Sequence, residues 1–236
     1  MTTATAKPTV PDFLAMFSDP AAIADYANGP RRYTPGLGAL HRMTGILLAE
    51  RVPDDAHILV LGAGGGLELN ALAQAYPNWR FTGVDPAGPM LALAARMMGD
   101  HAERATLIEG YIDDAPSGPF DGAVCLLTLH FLDHPDRVST AAAIRARLKP
   151  GAPFVAAHSS FPQEAGARDR WLDRYAAFAI ASGSPPEQAH GARAAVAAKL
   201  NLYAPEHDAG ILEAAGFRDV EQFYAAFTWR GWVATA

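Results

Sequence analysis

Three glycines at alternating positions, Gly62, Gly64 and Gly66, lie between an apolar run and a helical pattern in ILVLGAGGGLELNAL (58–72). Glycines at such a junction let the backbone approach a ligand, and the amino terminus of the next helix favours negative charge or lone pairs. A dinucleotide loop needs a glycine at the sixth position, where this chain has Leu67. A Walker phosphate loop needs a lysine that the segment lacks. Both phosphate-binding patterns are therefore excluded.

An acidic residue in the next apolar run strengthens the prediction of a ligand site. Asp85 ends FTGVD, 19 residues after Gly66. A carboxylate at that place in a βαβ unit can accept hydrogen bonds from both hydroxyls of a ribose. The alternative is an aspartate that only caps the following helix. The glycines and the acid occur in one βαβ frame, which favours the ligand.

A parallel sheet must bring these residues to one edge. Short β-rich apolar runs alternate with helical patterns over 57–159, which predicts an α/β fold with a doubly wound, Rossmann-like, mostly parallel sheet. N-terminal helices precede the sheet, and an antiparallel hairpin is predicted at the C-terminus. The Ala-rich stretch 163–204 predicts a helical insertion that acts as a lid. We expect one domain over 1–236, with a flexible tail over 1–11.

With these features the sequence resembles class I methyltransferases that use S-adenosyl-L-methionine (SAM). Gly62-x-Gly64-x-Gly66 has that family's loop spacing, and FDGAVCLLTLHFL (120–132) and LKPGAPFV (148–155) resemble its fourth strand and the turn before its fifth. Within the family, PGLGALHRMTGILLAER, TLHFLDHPDR and AAGFRDVEQFYAAFTWRGW resemble segments of carboxy-SAM synthases.

The resemblance implies SAM as the cofactor and a set of residues around it. Asp85 would hold the ribose, and Ile112 would form an apolar face beneath adenine. Tyr33, with Tyr26, would lie over the cofactor as an aromatic face near the sulfonium or else pack at a hinge. The cofactor-binding residues predicted in this way are Tyr33, Gly62, Ala63, Gly64, Gly66, Asp85, Pro86, Tyr111, Ile112 and Leu126.

Two positions depart from the general methyltransferase pattern. Val60 stands where the family often carries an acid two residues before the first glycine. Tyr111 stands where an aspartate holds the adenine amino group, so that Asp113 or Asp114 could take this role. We expect Glu68 to lie in the first turn of a helix and to interact favourably with the helix dipole.

Three other positions depart from the carboxy-SAM synthases. Leu37 replaces their tyrosine, Leu126 their asparagine, and Gly210 the arginine that clamps their extra carboxylate. A desolvated carboxylate needs a paired cation. We therefore predict ordinary methyl transfer to a small molecule, with a synthase-like enzyme or a non-catalytic SAM-binding module as alternatives.

Two histidines follow strands of the predicted sheet, where ligands of open α/β sheets bind. His130 comes just past the fourth strand and His158 ends the fifth, so both are candidate general bases. The alternative for each is a hydrogen-bonded packing residue. In the insertion, Arg170 and Arg174 would favour an acidic or aromatic substrate if the segment is a lid, and otherwise form a solvated face.

Composition narrows the possible partners and the cellular compartment of the protein. A formal net charge of −6 and a pI near 5.7 argue against nucleic acid as a partner. The single cysteine, Cys125, lies in an apolar run, which predicts a buried thiol and a reducing compartment. No apolar stretch is long enough to span a bilayer. We expect a cytoplasmic protein without membrane contact or bound metal. A homodimer is expected by analogy with the synthases, although the apolar YAAFTWRGW could equally be an edge hairpin.

Overall fold

The computed structural model describes residues 28–236. The tail predicted over 1–11, the helical pattern that precedes Asn28, and Tyr26 lie outside the described residues. None of the helices within the described part is long and apolar enough to cross a membrane.

Seven strands form one sheet in the order β3-β2-β1-β4-β5-β7-β6. The strands are β1 (His57–Leu61), β2 (Arg80–Asp85), β3 (Ala105–Glu109), β4 (Gly122–Leu126), β5 (Pro153–Ser159), β6 (Arg218–Ala226) and β7 (Trp229–Thr235). The first five strands pair in parallel, whereas β7 runs antiparallel to both β5 and β6. The predicted α/β fold with a C-terminal antiparallel hairpin is therefore confirmed.

Helices cover both faces of the sheet. They are α1 (Gly29–Tyr33), α2 (Leu37–Ala49), α3 (Leu67–Ala75), α4 (Gly88–Met98), α5 (His134–Ala146), α6 (Ala167–Ala181), α7 (Pro186–Lys199) and α8 (Pro205–Ala214). Because both faces are covered, β4 is buried along its whole length and its sequence is a continuous apolar run. Successive residues of β1 enter opposite cores: Val60 packs in the cluster that holds Leu40, and Leu59 in the one that holds Cys125.

The strand order sets the place of the site. From β1 the chain adds β2 and β3 on one side of the sheet, and it then adds β4 and β5 on the other side. At such a switch point, here between β1 and β4, a crevice forms at the carboxyl ends of the strands. The glycine loop follows β1, and Asp85 is the last residue of β2. The fold therefore brings to one edge the residues that the sequence places far apart.

The C-terminal hairpin completes the sheet. Trp229 and Trp232 of β7 are buried within the chain, and most residues of the edge strand β6 are intermediate or exposed. The sequence predicts either a dimer interface or an edge hairpin for YAAFTWRGW, and this geometry is that of an edge hairpin. The helices α6 and α7 lie between β5 and α8 in the chain, within the predicted 163–204 insertion.

Candidate cofactor site

A cleft lies at the carboxyl ends of β1, β2, β3 and β4, with α1 and α2 on its other side. Seven of the ten predicted cofactor residues line it: Gly62, Gly64, Asp85, Pro86, Tyr111, Ile112 and Leu126. The loop and strand ends converge there as the βαβ pattern predicts. Much of the remaining lining is apolar, with Leu37, Leu67, Met90 and Phe131 among its residues.

The glycine loop owes its sequence to close contacts as well as to backbone conformation. Gly62, Gly64 and Gly66 all have positive φ angles, of 75°, 47° and 80°. A Cβ on Gly62 would collide with the Thr128 side chain, and one on Gly66 would come within 2.8 Å of Ala94 Cα in α4. Gly66 therefore permits close packing of α4 against the start of α3.

Ala63 is predicted to bind cofactor but faces the sheet. It is fully buried, and its backbone N–H donates to the Val84 carbonyl at 3.1 Å. Its Cβ lies 3.1 Å from the place where a Cβ on Gly83 would be. Ala63 and Gly66 thus pack the loop against the sheet and α4, while Gly62 and Gly64 line the cleft.

Asp85 holds the loop and borders the cleft. Its Oδ2 accepts the Gly64 N–H at 2.9 Å, and its Oδ1 accepts the Ala87 N–H at 2.9 Å. Burial raises the pKa of the Asp85 carboxyl, and the two backbone N–H groups oppose that rise. The bond to Ala87 closes a turn before α4, whose first turn receives no side-chain cap. The same carboxylate lines the cleft and can accept further hydrogen bonds there.

The β3 side of the cleft is apolar and partly open. Ile112 is 7% exposed, whereas Tyr111 is 48% exposed at the rim. Asp114 accepts the Tyr111 backbone N–H at 2.8 Å, so its carboxylate caps the short helical turn there. Asp113 is exposed and is not part of the cleft lining.

Two titratable residues that the sequence did not assign to the site line the cleft. Glu68, at the start of α3, is 6% exposed, and burial raises the pKa of its carboxyl to about 8. His41 on α2 is 9% exposed, and burial together with the Arg31 guanidinium lowers its pKa to about 4. Periodicity places both on helices, but only tertiary packing turns them toward the strand ends.

Comparison with known proteins identifies the central part of the chain. Residues 59–154, from β1 to the start of β5, match a family described as a methyltransferase domain. The chain is also 32% identical over 179 residues to the carboxy-S-adenosyl-L-methionine synthase of Chromohalobacter salexigens, an alignment that covers 73% of this chain and 66% of the synthase. The chain carries a class I SAM-dependent methyltransferase domain.

Solved methyltransferases share the fold at low sequence identity. An O-methyltransferase family protein from Burkholderia thailandensis superimposes with a TM-score of 0.69 at 15% identity, covering 96% of this chain and 62% of that one. Human N-acetylserotonin methyltransferase in complex with SAM gives a TM-score of 0.60 at 16% identity, covering 97% of this chain and 59% of that one. This chain therefore spans about three fifths of the length of these proteins and 66% of the synthase.

His130 of the methyltransferase domain lies beneath the cleft rather than in its lining. It is 4% exposed, and its Nδ1 accepts the Ser159 backbone N–H at 3.2 Å. Its ring packs 5.7 Å from that of Trp229. Burial and the neighbouring His158 lower the pKa of His130 well below its ordinary value. These contacts are those of a packing residue that joins β4 to β5 and β7.

His158, in β5, belongs to a buried polar cluster on another side of that strand. Its Nε2 lies 3.2 Å from Asp208 Oδ1, and the same oxygen accepts a hydrogen bond from Arg137. Arg137 also donates to the Asn201 carbonyl at 2.7 Å. Burial lowers the pKa of His158, while Asp208 opposes the change. The cluster ties α5 and α8 to β5 and includes no residue of the cleft lining.

Tyr33, on α1, makes its contacts with the insertion and the hairpin. Its ring lies 5.2 Å from that of Tyr175 in α6, and its carbonyl accepts the Trp229 Nε1–H at 2.8 Å. It is not among the residues lining the cleft, and these contacts are those of the hinge-packing alternative. Within the insertion, Arg193 of α7 donates to Asp173 of α6 at 2.7 Å.

Proposed function

We propose that the protein transfers a methyl group from SAM to a small-molecule acceptor, with SAM bound in the strand-end cleft. The observation that carries the proposal is the Asp85 carboxylate, which borders the cleft beside a glycine loop and is oriented by two backbone N–H groups. The O-methyltransferase neighbours support a small-molecule acceptor. When bound, SAM would supply a methyl group on a positively charged sulfur.

The chemistry of the lining fits this cofactor. SAM offers ribose hydroxyls as donors, an adenine face, two cationic groups and one carboxylate, and it has no phosphate. Asp85 is an acceptor for the ribose, and Ile112 is an apolar surface for adenine. No described residue that lines the cleft is Lys or Arg, which suits a ligand without phosphate. Gly62, Gly64, Pro86, Tyr111 and Leu126 supply the remaining contacts in this proposal.

We propose that positioning and exclusion of water supply most of the rate acceleration. Methyl transfer is an in-line displacement, so the alignment of the acceptor with the donor is the main task of the protein. His130 and His158 are buried outside the cleft lining, and packing roles account for their contacts. Tyr33 would act indirectly, by fixing α1 against α6.

The insertion is our proposed source of acceptor specificity. Trp171 of α6 carries the Arg174 guanidinium 4.5 Å from its ring centroid and the Arg230 guanidinium at 5.5 Å. Such a cationic and aromatic surface favours an acidic or aromatic molecule. Replacing Arg170 and Arg174 with Ala should raise the KM for the acceptor and leave SAM affinity unchanged. An unchanged KM would contradict the proposal that the insertion determines acceptor specificity.

Carboxy-SAM synthesis is the second candidate, because the chain is 32% identical to a synthase. A clamp for an additional carboxylate needs a cation, and no Lys or Arg is found among the described lining residues. Gly210, the position that matches the synthases' arginine, lies on α8. Mass spectrometry of ligand retained through purification separates the two, since the carboxylated compound is heavier than SAM.

The test of the proposal is SAM binding by isothermal titration calorimetry. Asp85→Asn should weaken binding at least about tenfold, because a charged hydrogen bond is worth about 1.5–3 kcal/mol and 1.4 kcal/mol is tenfold. Asp55→Asn, an exposed position in the turn before β1, is the matched control and should bind like wild type. A wild-type protein that binds neither SAM nor S-adenosylhomocysteine would overturn the proposal. SAM binding without transfer to any member of a broad metabolite set would favour a non-catalytic module.

A further inference from the structure

Glu68 is a buried carboxyl without a cationic partner at the strand-end cleft. It is 6% exposed and lines the cleft from the first turn of α3. Across residues 28–236, no Lys, Arg or His nitrogen lies within 4.0 Å of its carboxyl oxygens. A buried glutamate is normally paired, because an isolated ionised carboxylate is costly away from water. The one hydrogen bond to its carboxyl that affects its pKa comes from its own backbone N–H.

The other titratable groups around Glu68 do not supply a partner. Asp85 is a second acid, and its oxygens already accept two backbone N–H groups. Burial raises the pKa of the Cys125 thiol on β4, which keeps it neutral. His41, with a pKa near 4, is also neutral, and Tyr111 lies at the rim. The cleft therefore contains two carboxyls and no positive side chain from the described residues.

The shape of the cleft determines which part of the cofactor reaches Glu68. In the proposed function, adenine would lie on Ile112 and the ribose beside Asp85, at the ends of β3 and β2. The methionine part, attached to the ribose, must then continue toward β1 and α3, where Glu68 and His41 border the cleft. This is also the side of Val60, where the usual acid of the family is missing.

We propose that Glu68 is the counter-ion of the α-ammonium group of SAM and compensates for the absence of an acid at Val60. The inference rests on the proposed function. The ammonium group carries three donors and a full charge, so that it would satisfy a carboxylate that the described residues leave without a cationic partner.

Pairing changes the protonation state of Glu68. Burial and the nearby Asp85 raise its pKa to about 8, so the empty protein holds Glu68 as a neutral acid at pH 6.5. An ammonium group beside it favours the carboxylate, and the carboxyl proton then passes to the buffer. No covalent bond other than the carboxyl O–H is broken, and the ammonium keeps its protons. SAM binding should therefore release about one proton.

Calorimetry at pH 6.5 in two buffers with different ionisation enthalpies measures that proton. Wild type should release close to one proton per SAM bound, and Glu68→Gln close to none. Glu68→Gln should also bind SAM about 10–100-fold more weakly. Between pH 6.0 and 7.5 the affinity of wild type should rise by up to tenfold per pH unit, while that of Glu68→Gln stays flat. Glu213→Gln, an exposed position on α8, is the control and should match wild type.

A ligand series identifies the group that Glu68 meets. SAM and S-adenosylhomocysteine both carry the α-ammonium, whereas 5′-methylthioadenosine lacks the amino-acid part. Glu68→Gln should weaken the first two equally and leave the third unchanged. A loss confined to SAM would assign Glu68 to the sulfonium, and an equal loss for all three would indicate a structural effect; either result overturns the inference. If Glu68→Gln binds as wild type does, the inference fails and the proposed function stands. If wild type binds none of the three, both fail.

Discussion

Two acids line the cleft, and their surroundings give them different properties. Asp85 accepts two backbone N–H groups at 2.9 Å, which stabilise its ionised form against the cost of burial. Glu68 lacks such external donors, and burial raises its pKa to about 8. One carboxylate is thus oriented in advance, while the other depends on a ligand for its charge.

The pH dependence of stability should report the state of Glu68 in the empty protein. Its pKa in the folded chain, about 8, is above the ordinary value of 4.5, so between these values the folded protein keeps a proton that the unfolded chain has lost. Stability therefore falls as pH rises through this window. Glu68→Gln removes the effect. The free energy of unfolding of the variant minus that of wild type should therefore be about 1–4 kcal/mol larger at pH 8 than at pH 4.5. Urea unfolding at both pH values measures this, and an equal difference at both would contradict it.

For single residues, the sequence predicts position in the fold better than side-chain direction and burial. Asp85 and the glycines were predictable because their spacing reflects a βαβ unit. The positions of His130 and His158 after β4 and in β5 were predictable, but not the directions of their side chains, which pack with Trp229 and Asp208. The sequence predicts only a helix-dipole role for Glu68, because its burial arises from packing that no local pattern encodes.

At the scale of elements, the junction between α3 and α4 depends on a glycine. Gly66 has a φ of 80°, and a Cβ there would lie 2.8 Å from Ala94 Cα. Gly66→Ala should lower the free energy of unfolding by at least about 1–2 kcal/mol, from the left-handed conformation alone. The control is Gly191→Ala in α7, where a Cβ meets nothing within 4 Å and the helix gains about 0.5–1 kcal/mol. Equal effects of the two changes in urea unfolding would contradict this account.

The attachment of α5 and α8 to the sheet depends on a buried ion pair. Arg137 and Asp208 have fully buried side chains, and Arg137 also donates to the Asn201 and Leu132 carbonyls. Arg137→Met leaves Asp208 beside His158 without its main cation and should cost about 3–5 kcal/mol.

The matched control for that change is Arg193→Met. Arg193 pairs with Asp173, whose side chain is 67% exposed, so its replacement should cost less than about 1 kcal/mol. Chemical denaturation of both variants tests the contrast. A loss below 1 kcal/mol for Arg137→Met would show that the cluster does not stabilise the fold.

Element types and their order followed from the sequence more completely than their contacts did. Buried parallel strands are continuous apolar runs, and the helices between them have their own spacing, so the β1–β5 core could be predicted. The sequence predicts the hairpin as well, but it does not decide whether the tryptophans face a partner or the chain itself. Trp229 is buried here against His130 and α1, and Trp232 beside His158 of β5, all of which are distant in sequence.

At the scale of the whole molecule, the sheet collects one carboxylate, one glycine loop and an apolar floor at a single edge. Gly62 follows β1, Asp85 ends β2 and Ile112 follows β3, so that these residues span 50 positions of the chain. The matched family segment, residues 59–154, spans these contributions, whereas α6 and α7 lie after it. The residues that we propose hold the donor are thereby separated along the chain from the segment that we propose selects the acceptor.

The most direct test of the central claim is a crystal structure of the protein with S-adenosylhomocysteine. We predict density for the ligand in the strand-end cleft, with its ribose hydroxyls within hydrogen-bond distance of Asp85. Ligand bound elsewhere, or a ribose that makes no contact with Asp85, would contradict the account.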